Sequence, residues 1–242
     1  MKGMGRKGSR WLWLMGAVLA AVGIGQALWP LEAAPVFARQ TQQTLIIDPG
    51  HGGEDGGALT ADGGKESDIN LAIGLQLDGL MGFYGVRTVL TRDADVSIHD
   101  PSARTIREKK VSDLHHRVDL ICGIEDGTLL SIHQNSYPDA RYHGTQVFYG
   151  DAQLSQPLAR AIQDTIREKL DPENTRKPQH VPSSVYLMNH VGCRAVLVEC
   201  GFLSNEKEAA LLREKAYQQK LAMTLASCYL LSGSAQEGES LI

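Results

Sequence analysis

Hydrophobic positions along this chain form one long block followed by a series of short ones. The long block runs from 11 to 29 and is uncharged throughout. Short apolar runs, largely β-branched, then recur at 45–47, 86–91, 129–133, 145–149, 185–188 and 195–198, and each reads as a strand. Between them lie segments with helical spacing at 67–81, 114–124, 156–170 and 205–232, the last as one or two closing helices. Ser67 or Asp68 caps the first of these, Ile69, Ala72, Ile73, Gln76 and Leu80 mark its face, and Gly82 and Gly85 stop it. Residues 93–113 are polar and predict a long loop or a loosely docked helix; 171–184, with three prolines, predicts an irregular loop. Short continuous strands alternating with helices predict a single α/β domain whose mainly parallel sheet is covered by helices on both faces. The expected bounds are a linker at 39–43, the domain at 44–232 and a frayed polar tail at 233–242.

The long apolar block follows Lys2, Arg6, Lys7 and Arg10 with no acid among them. A basic flank before an apolar run reads as an export signal, with Val36-Phe-Ala38 offering cleavage after Ala38; the run is also long enough to stay as a membrane anchor. Either way, the remainder is expected outside the cytoplasm. Residues 1–38 hold four cations and the one acid Glu32, so the rest carries a net charge of −7 against −4 for the whole chain. That balance argues against nucleic acid as a partner and against bulk adhesion to anionic polymers. Cys122, Cys193, Cys200 and Cys228 include no C-x-x-C pair, so neither a structural zinc nor a redox dithiol is indicated. They read as small buried hydrophobes, with a Cys193–Cys200 bridge as the alternative.

Candidate chemistry sits beyond the carboxyl ends of the strands, where such sheets build their sites. The first strand leads into Asp48-Pro-Gly-His-Gly-Gly-Glu-Asp-Gly-Gly57, a stretch too rich in glycine for a helix. It carries His51; His133 ends the run at 129–133, Glu199 follows the run at 195–198, and Glu66 stands at a helix start. Two imidazoles and a carboxylate from separate elements match the donor set of a catalytic zinc. Glu199 is then left for proton transfer. Taken singly, each has an ordinary reading: a solvated loop histidine, or a glutamate offsetting a helix dipole. A carboxylate following Ala195-Val-Leu-Val198 is harder to dismiss, because burying it unpaired costs several kcal/mol.

Other residues read structurally. His99, His115, His116, His143, His180 and His190 show no ligand pattern, and the adjacent His115 and His116 face different ways on a helix. Arg117 is read as ordering its helix against the sheet. Asn135 is either a substrate contact or a turn residue, and Ser204-Asn205 caps the following helix. A serine hydrolase lacks its G-x-S-x-G elbow. A cysteine hydrolase would need Cys193 or Cys200, which sit at a strand rather than at a helix N-terminus.

Four ordered segments carry a resemblance: Asp48-Pro-Gly-His-Gly-Gly-Glu-Asp-Gly-Gly-Ala58, Glu66 followed by Asn70-Leu71, Ser131-Ile-His-Gln-Asn135, and Val198-Glu-Cys-Gly-Phe-Leu-Ser-Asn205. Over 44–232 the chain resembles the zinc-dependent N-acetylmuramoyl-L-alanine amidases of type 3. The resemblance implies zinc ligands at His51, Glu66 and His133, an essential glutamate at Glu199, and a sheet of about six strands. Within the family the likeness is greatest to the spore germination-specific type. That implies action on cortex peptidoglycan outside the forespore membrane, toward the muramic-δ-lactam, with an activating spore lipoprotein as partner in some spore formers. A general amidase of division or autolysis, or a non-catalytic cell-wall-binding relative, is the alternative.

Overall fold

A computed structural model describes residues 43–239, with side chains to residue 232. The expected export segment, most of the linker and the last three residues of the tail lie outside the described residues. Six strands form one sheet: β1 (Thr44–Pro49), β2 (Thr88–Leu90), β3 (Gly127–Asn135), β4 (Gln146–Tyr149), β5 (Gln179–His180) and β6 (Arg194–Phe202), in the order β2-β1-β3-β6-β4-β5. β2, β1, β3 and β6 run parallel, and β4 runs against β6 with β5 parallel to β4. Among the described residues six helices accompany them: α1 (Glu66–Phe83), α2 (Ile106–Cys122), α3 (Ala152–Lys169), α4 (Tyr186–His190), α5 (Glu206–Leu212) and α6 (Lys215–Glu239).

Alternate positions of the central strands feed two cores, as the two-residue period of a strand requires. Leu45, Ile47, Leu130, Ile132, Val196 and Val198 pack against α1, α3 and α6. Ile46, Leu129, Ala195 and Leu197 pack on the other face against Ile121, Leu187 and Met188 of α2 and α4. Both faces are therefore covered, as the continuous apolar strands predict. Among the described residues no helix is long and apolar enough to cross a membrane.

Several elements differ from the sequence reading. The run at 185–188 is not a strand but the short helix α4, with Leu187 and Met188 inward; four apolar residues do not distinguish the two periods. β5 instead lies inside the segment read as an irregular loop; it is exposed and pairs at the sheet edge, so no apolar pattern marks it. α2 begins at Ile106, inside the segment read as a long loop or a loosely docked helix, because Thr105 and Glu108 form a reciprocal capping box. Its polar composition hides the helix from an apolar count. α1 buries Ile69, Asn70, Ile73, Gly74, Leu77 and Met81, so its inner face lies a fraction of a turn from the expected Ala72, Gln76 and Leu80. Gly82 lies inside α1; the stop is Gly85, at φ 71°. The backbone of α6 runs to Glu239, so helix replaces tail over 233–239. All four cysteines are free: Cys200 and Cys228 are buried, Cys193 is half-buried and Cys122 is exposed. The Cys193–Cys200 bridge is excluded, since Cys200 packs in one core and Cys193 against the other.

Candidate metal centre

β1, β3 and β6 lie side by side, and their carboxyl ends deliver the site. His51 leaves β1 two residues beyond Pro49 with a positive φ of 63°, a conformation uncommon outside glycine. What holds it there is a pair of buried arginines. Arg117, 2% exposed, donates from Nη1 to the Pro49 carbonyl at 3.0 Å and from Nη2 to the His51 carbonyl at 2.7 Å. Arg92 donates from Nε to the Pro49 carbonyl at 2.9 Å and from Nη2 to the Gly50 carbonyl at 3.1 Å and the Ser67 carbonyl at 2.8 Å. Three successive carbonyls of the loop are thus fixed by charge-assisted bonds. Asp48, 1% exposed, receives Arg117 at 2.6 Å, Thr91 at 2.7 Å and Ser131 at 2.7 Å. Burial pushes its carboxyl up, but Arg117 and the two hydroxyls outweigh that and hold it at about 2. Asp113, one helical turn before Arg117, takes Arg117 Nε at 2.7 Å.

Glu66 opens α1 with its side chain 3% exposed. Its Oε2 accepts the Ala58 N–H at 2.8 Å and lies 3.3 Å from His51 Nε2. Its Oε1 accepts the Gln134 N–H at 3.0 Å and the Asn70 amide at 3.3 Å, and lies 2.9 Å from His133 Nδ1. Burial raises this carboxyl, yet the bonds from the two histidines hold it well below the ordinary carboxylate range. The imidazoles of His51 and His133 meet edge to face with centroids 4.9 Å apart. Ligand atoms of His51, Glu66 and His133 all lie within 4.8 Å of one another. Close approach needs glycine: a Cβ on Gly50 would stand 2.1 Å from the His133 ring, and one on Gly57 2.5 Å from Glu66 Oε2.

His51 Nδ1 donates to Asp55 Oδ2 at 2.9 Å, which aims Nε2 at Glu66. Burial disfavours the imidazolium, but Asp55 and Glu66 outweigh it and raise His51 to about 9 in the metal-free protein.

Glu199 pairs directly across the ladder from His133, just before β3 and β6 shift register. Such irregularities re-aim side chains beside active sites. Its Oε2 is buried without a hydrogen-bond partner. Burial lifts its carboxyl to about 7; the two imidazoles oppose this and Glu66 adds to it. Glu199, His51 and His133 line one cavity of about 230 Å³ together with Asp48, Lys110 and Tyr186.

All four sequence-derived residues therefore meet, and the histidines set aside lie elsewhere. His115 packs on Tyr186 at 5.1 Å while His116 bonds the Ile98 carbonyl at 2.6 Å. Asn135 bonds the Ser136 N–H at 2.8 Å, a local turn contact, and Asn205 caps α5 through the Glu208 N–H at 3.1 Å. Sequence reasoning missed Arg92, Asp55 and Asp113, which carry no spacing signal of their own, and placed Arg117 too modestly. Two histidines and a carboxylate with converging lone pairs, beside a buried carboxylate oxygen lacking any partner, suit a divalent metal with a position left for water.

The description N-acetylmuramoyl-L-alanine amidase belongs to the family that matches residues 45–228. The germination-specific N-acetylmuramoyl-L-alanine amidase of Bacillus subtilis is 36% identical over 184 residues, 75% of this chain and 76% of that protein. The CwlD amidase of Clostridioides difficile, solved in complex with the GerS lipoprotein, aligns at a TM-score of 0.76 and 37% identity, covering 79% of this chain and 98% of that one. The amidase AmiC2 of Nostoc punctiforme aligns at a TM-score of 0.68 and 27% identity, covering 80% and 98%. With a matching family, a shared fold and two histidines and two glutamates gathered at the carboxyl end of its sheet, this chain belongs to the N-acetylmuramoyl-L-alanine amidases and is an enzyme of that kind.

Proposed function

We propose that the chain is a zinc enzyme of the spore cortex, exported through its first 38 residues, that cleaves the amide joining the lactyl group of N-acetylmuramic acid to L-alanine. His51, Glu66 and His133 hold the metal. Bound zinc supplies Lewis acidity toward a carbonyl and lowers the pKa of a coordinated water toward about 7. Glu199 accepts the proton of the attacking water and passes it to the leaving amine of L-alanine. Lifted to about 7, its carboxyl suits both halves of that transfer near neutral pH. Asp55 fixes the orientation of His51, and the arginine grip on Pro49, Gly50 and His51 fixes the loop.

The observation that carries this reading is the buried, partnerless Oε2 of Glu199 in the same cavity as His51 and His133. A carboxylate kept there without a partner is expensive unless it has chemistry to do. Metal analysis of the purified protein, and peptide amines released from purified peptidoglycan with and without a chelator, test it. Zinc at about one ion per chain and chelator-sensitive release are expected; release resistant to chelation but blocked by iodoacetamide overturns it.

The cortex assignment and a lipoprotein partner draw on the germination-specific relative and on the GerS complex of the Clostridioides difficile protein. Loss of muramic-δ-lactam from spores lacking this gene is the expected result. Its persistence restricts the chain to general wall turnover.

A further inference from the structure

The cavity that holds Glu199 also has Asp48, Asp55 and Asp113 in its lining. Two cations line it, and they differ sharply. Arg117 is fully engaged, with Asp48, Asp113 and the Pro49 and His51 carbonyls. Lys110, on the same face of α2 as Asp113 and Arg117 by three- and seven-residue spacing, is half exposed. Among the described residues its ammonium has one ion pair, at 3.0 Å to Asp55 Oδ2. Asp55 does not depend on that contact: the same Oδ2 accepts His51 Nδ1 at 2.9 Å, and Oδ1 accepts the Gly57 N–H at 3.3 Å. Lys110 can therefore swing to another anion without releasing His51. The neighbouring Lys109 cannot do so as cheaply, since it bonds both oxygens of Glu54 at 2.6 and 2.7 Å.

A peptide carboxylate arriving beside Glu199 and Asp55 is received best by a cation free to turn toward it. Stem peptides carry such a group next to the scissile bond: the residue after L-alanine is a γ-linked glutamate whose α-carboxylate is free or amidated. We propose that Lys110 is a specificity-determining residue that binds a free carboxylate of the stem peptide at the rim of the catalytic cavity. This rests on the amidase reading of the site and adds a preference that the metal centre alone does not supply. The exposed, flexible ammonium at the cavity mouth makes a charge-assisted bond with the incoming carboxylate, and selects against the amide, which has no charge to offer.

The test compares two muropeptides differing only in whether that α-carboxylate is free or amidated, using the metal-loaded full chain. Wild-type kcat/KM is expected to favour the free carboxylate about tenfold, the worth of one charge-assisted hydrogen bond. In Lys110→Met the ratio should fall to about one through a raised KM for the carboxylate form, and Lys110→Arg should restore most of it. Equal losses on both substrates, or a loss of bound metal in Lys110→Met, would show that Lys110 acts only through Asp55 and would overturn the proposal. A wild type that cleaves both equally well overturns it while leaving the amidase reading intact. A wild type that releases no amine from either overturns both.

Discussion

Arg117 on α2 and His51 after β1 are joined by a 2.7 Å hydrogen bond from guanidinium to backbone carbonyl. The contact is to the main chain, so it fixes where His51 stands without engaging its imidazole. The same guanidinium closes a buried ion pair with Asp48 at the end of β1, at 2.6 Å. Loop, strand and helix are thereby locked through one side chain.

Arg117→Lys keeps one charge but loses the planar fork that reaches Asp48, Asp113 and two carbonyls. Breaking such a buried network costs about 3–5 kcal/mol. Urea unfolding should show a loss of that order, and elemental analysis should show reduced metal.

Glu199→Gln preserves shape and removes the proton acceptor. Amide release should fall by about 10²–10⁴-fold, with metal content as in the wild type. Full turnover in that variant would take Glu199 out of the proton-transfer role.

Asp55→Asn leaves His51 in place but weakens the acceptor on its Nδ1. Metal affinity should drop by about 10–100-fold. Competition with a coloured chelator measures it directly.

The metal-free protein should lose thermal stability as pH rises from about 6.5 to 9. His51 is raised from 6.5 to about 9 on folding, so its contribution is complete below 6.5 and disappears as the folded form deprotonates. Glu199, raised from 4.5 to about 7, adds a fall of the same sign across its own lower window, because its ionised form is disfavoured by burial. At the acid end Asp48, held at about 2 against an ordinary 3.8, gives stability that vanishes as pH falls through that interval. Melting temperatures across pH 2–10 check all three. Metal should suppress the alkaline loss, since the ion replaces the proton on His51.

Two glycines should respond oppositely to alanine. Gly50→Ala drives a methyl to 2.1 Å from the His133 ring and should abolish metal binding. Gly79, exposed within α1, has nothing within 4 Å of a built Cβ, and Gly79→Ala should stabilise the fold by about 0.5–1 kcal/mol. Paired unfolding and metal measurements separate the two.

The buried strands were legible because their apolar runs are continuous, and the four polar residues at their ends stood out against that background. Hidden features were those whose signal is not apolar. Gln179–His180 is an exposed two-residue edge strand, and α2 carries its identity in Thr105 and Glu108 rather than in a hydrophobic stripe. The segment at 185–188 failed for the opposite reason, being apolar but too short to show its period. In the site, the candidate ligands announced themselves by residue type. Arg92 and Arg117 did not, because what matters is their reach to the carbonyls of Pro49, Gly50 and His51, and only the folded chain brings these together.

The adjacency of β1, β3 and β6 has a consequence for when the enzyme can act. The proposed donors and proton carrier are contributed from position 51 through to position 199, so the proposed centre is incomplete until β6 has joined the sheet. A product truncated ahead of β6 stays inert however well its earlier portion is built.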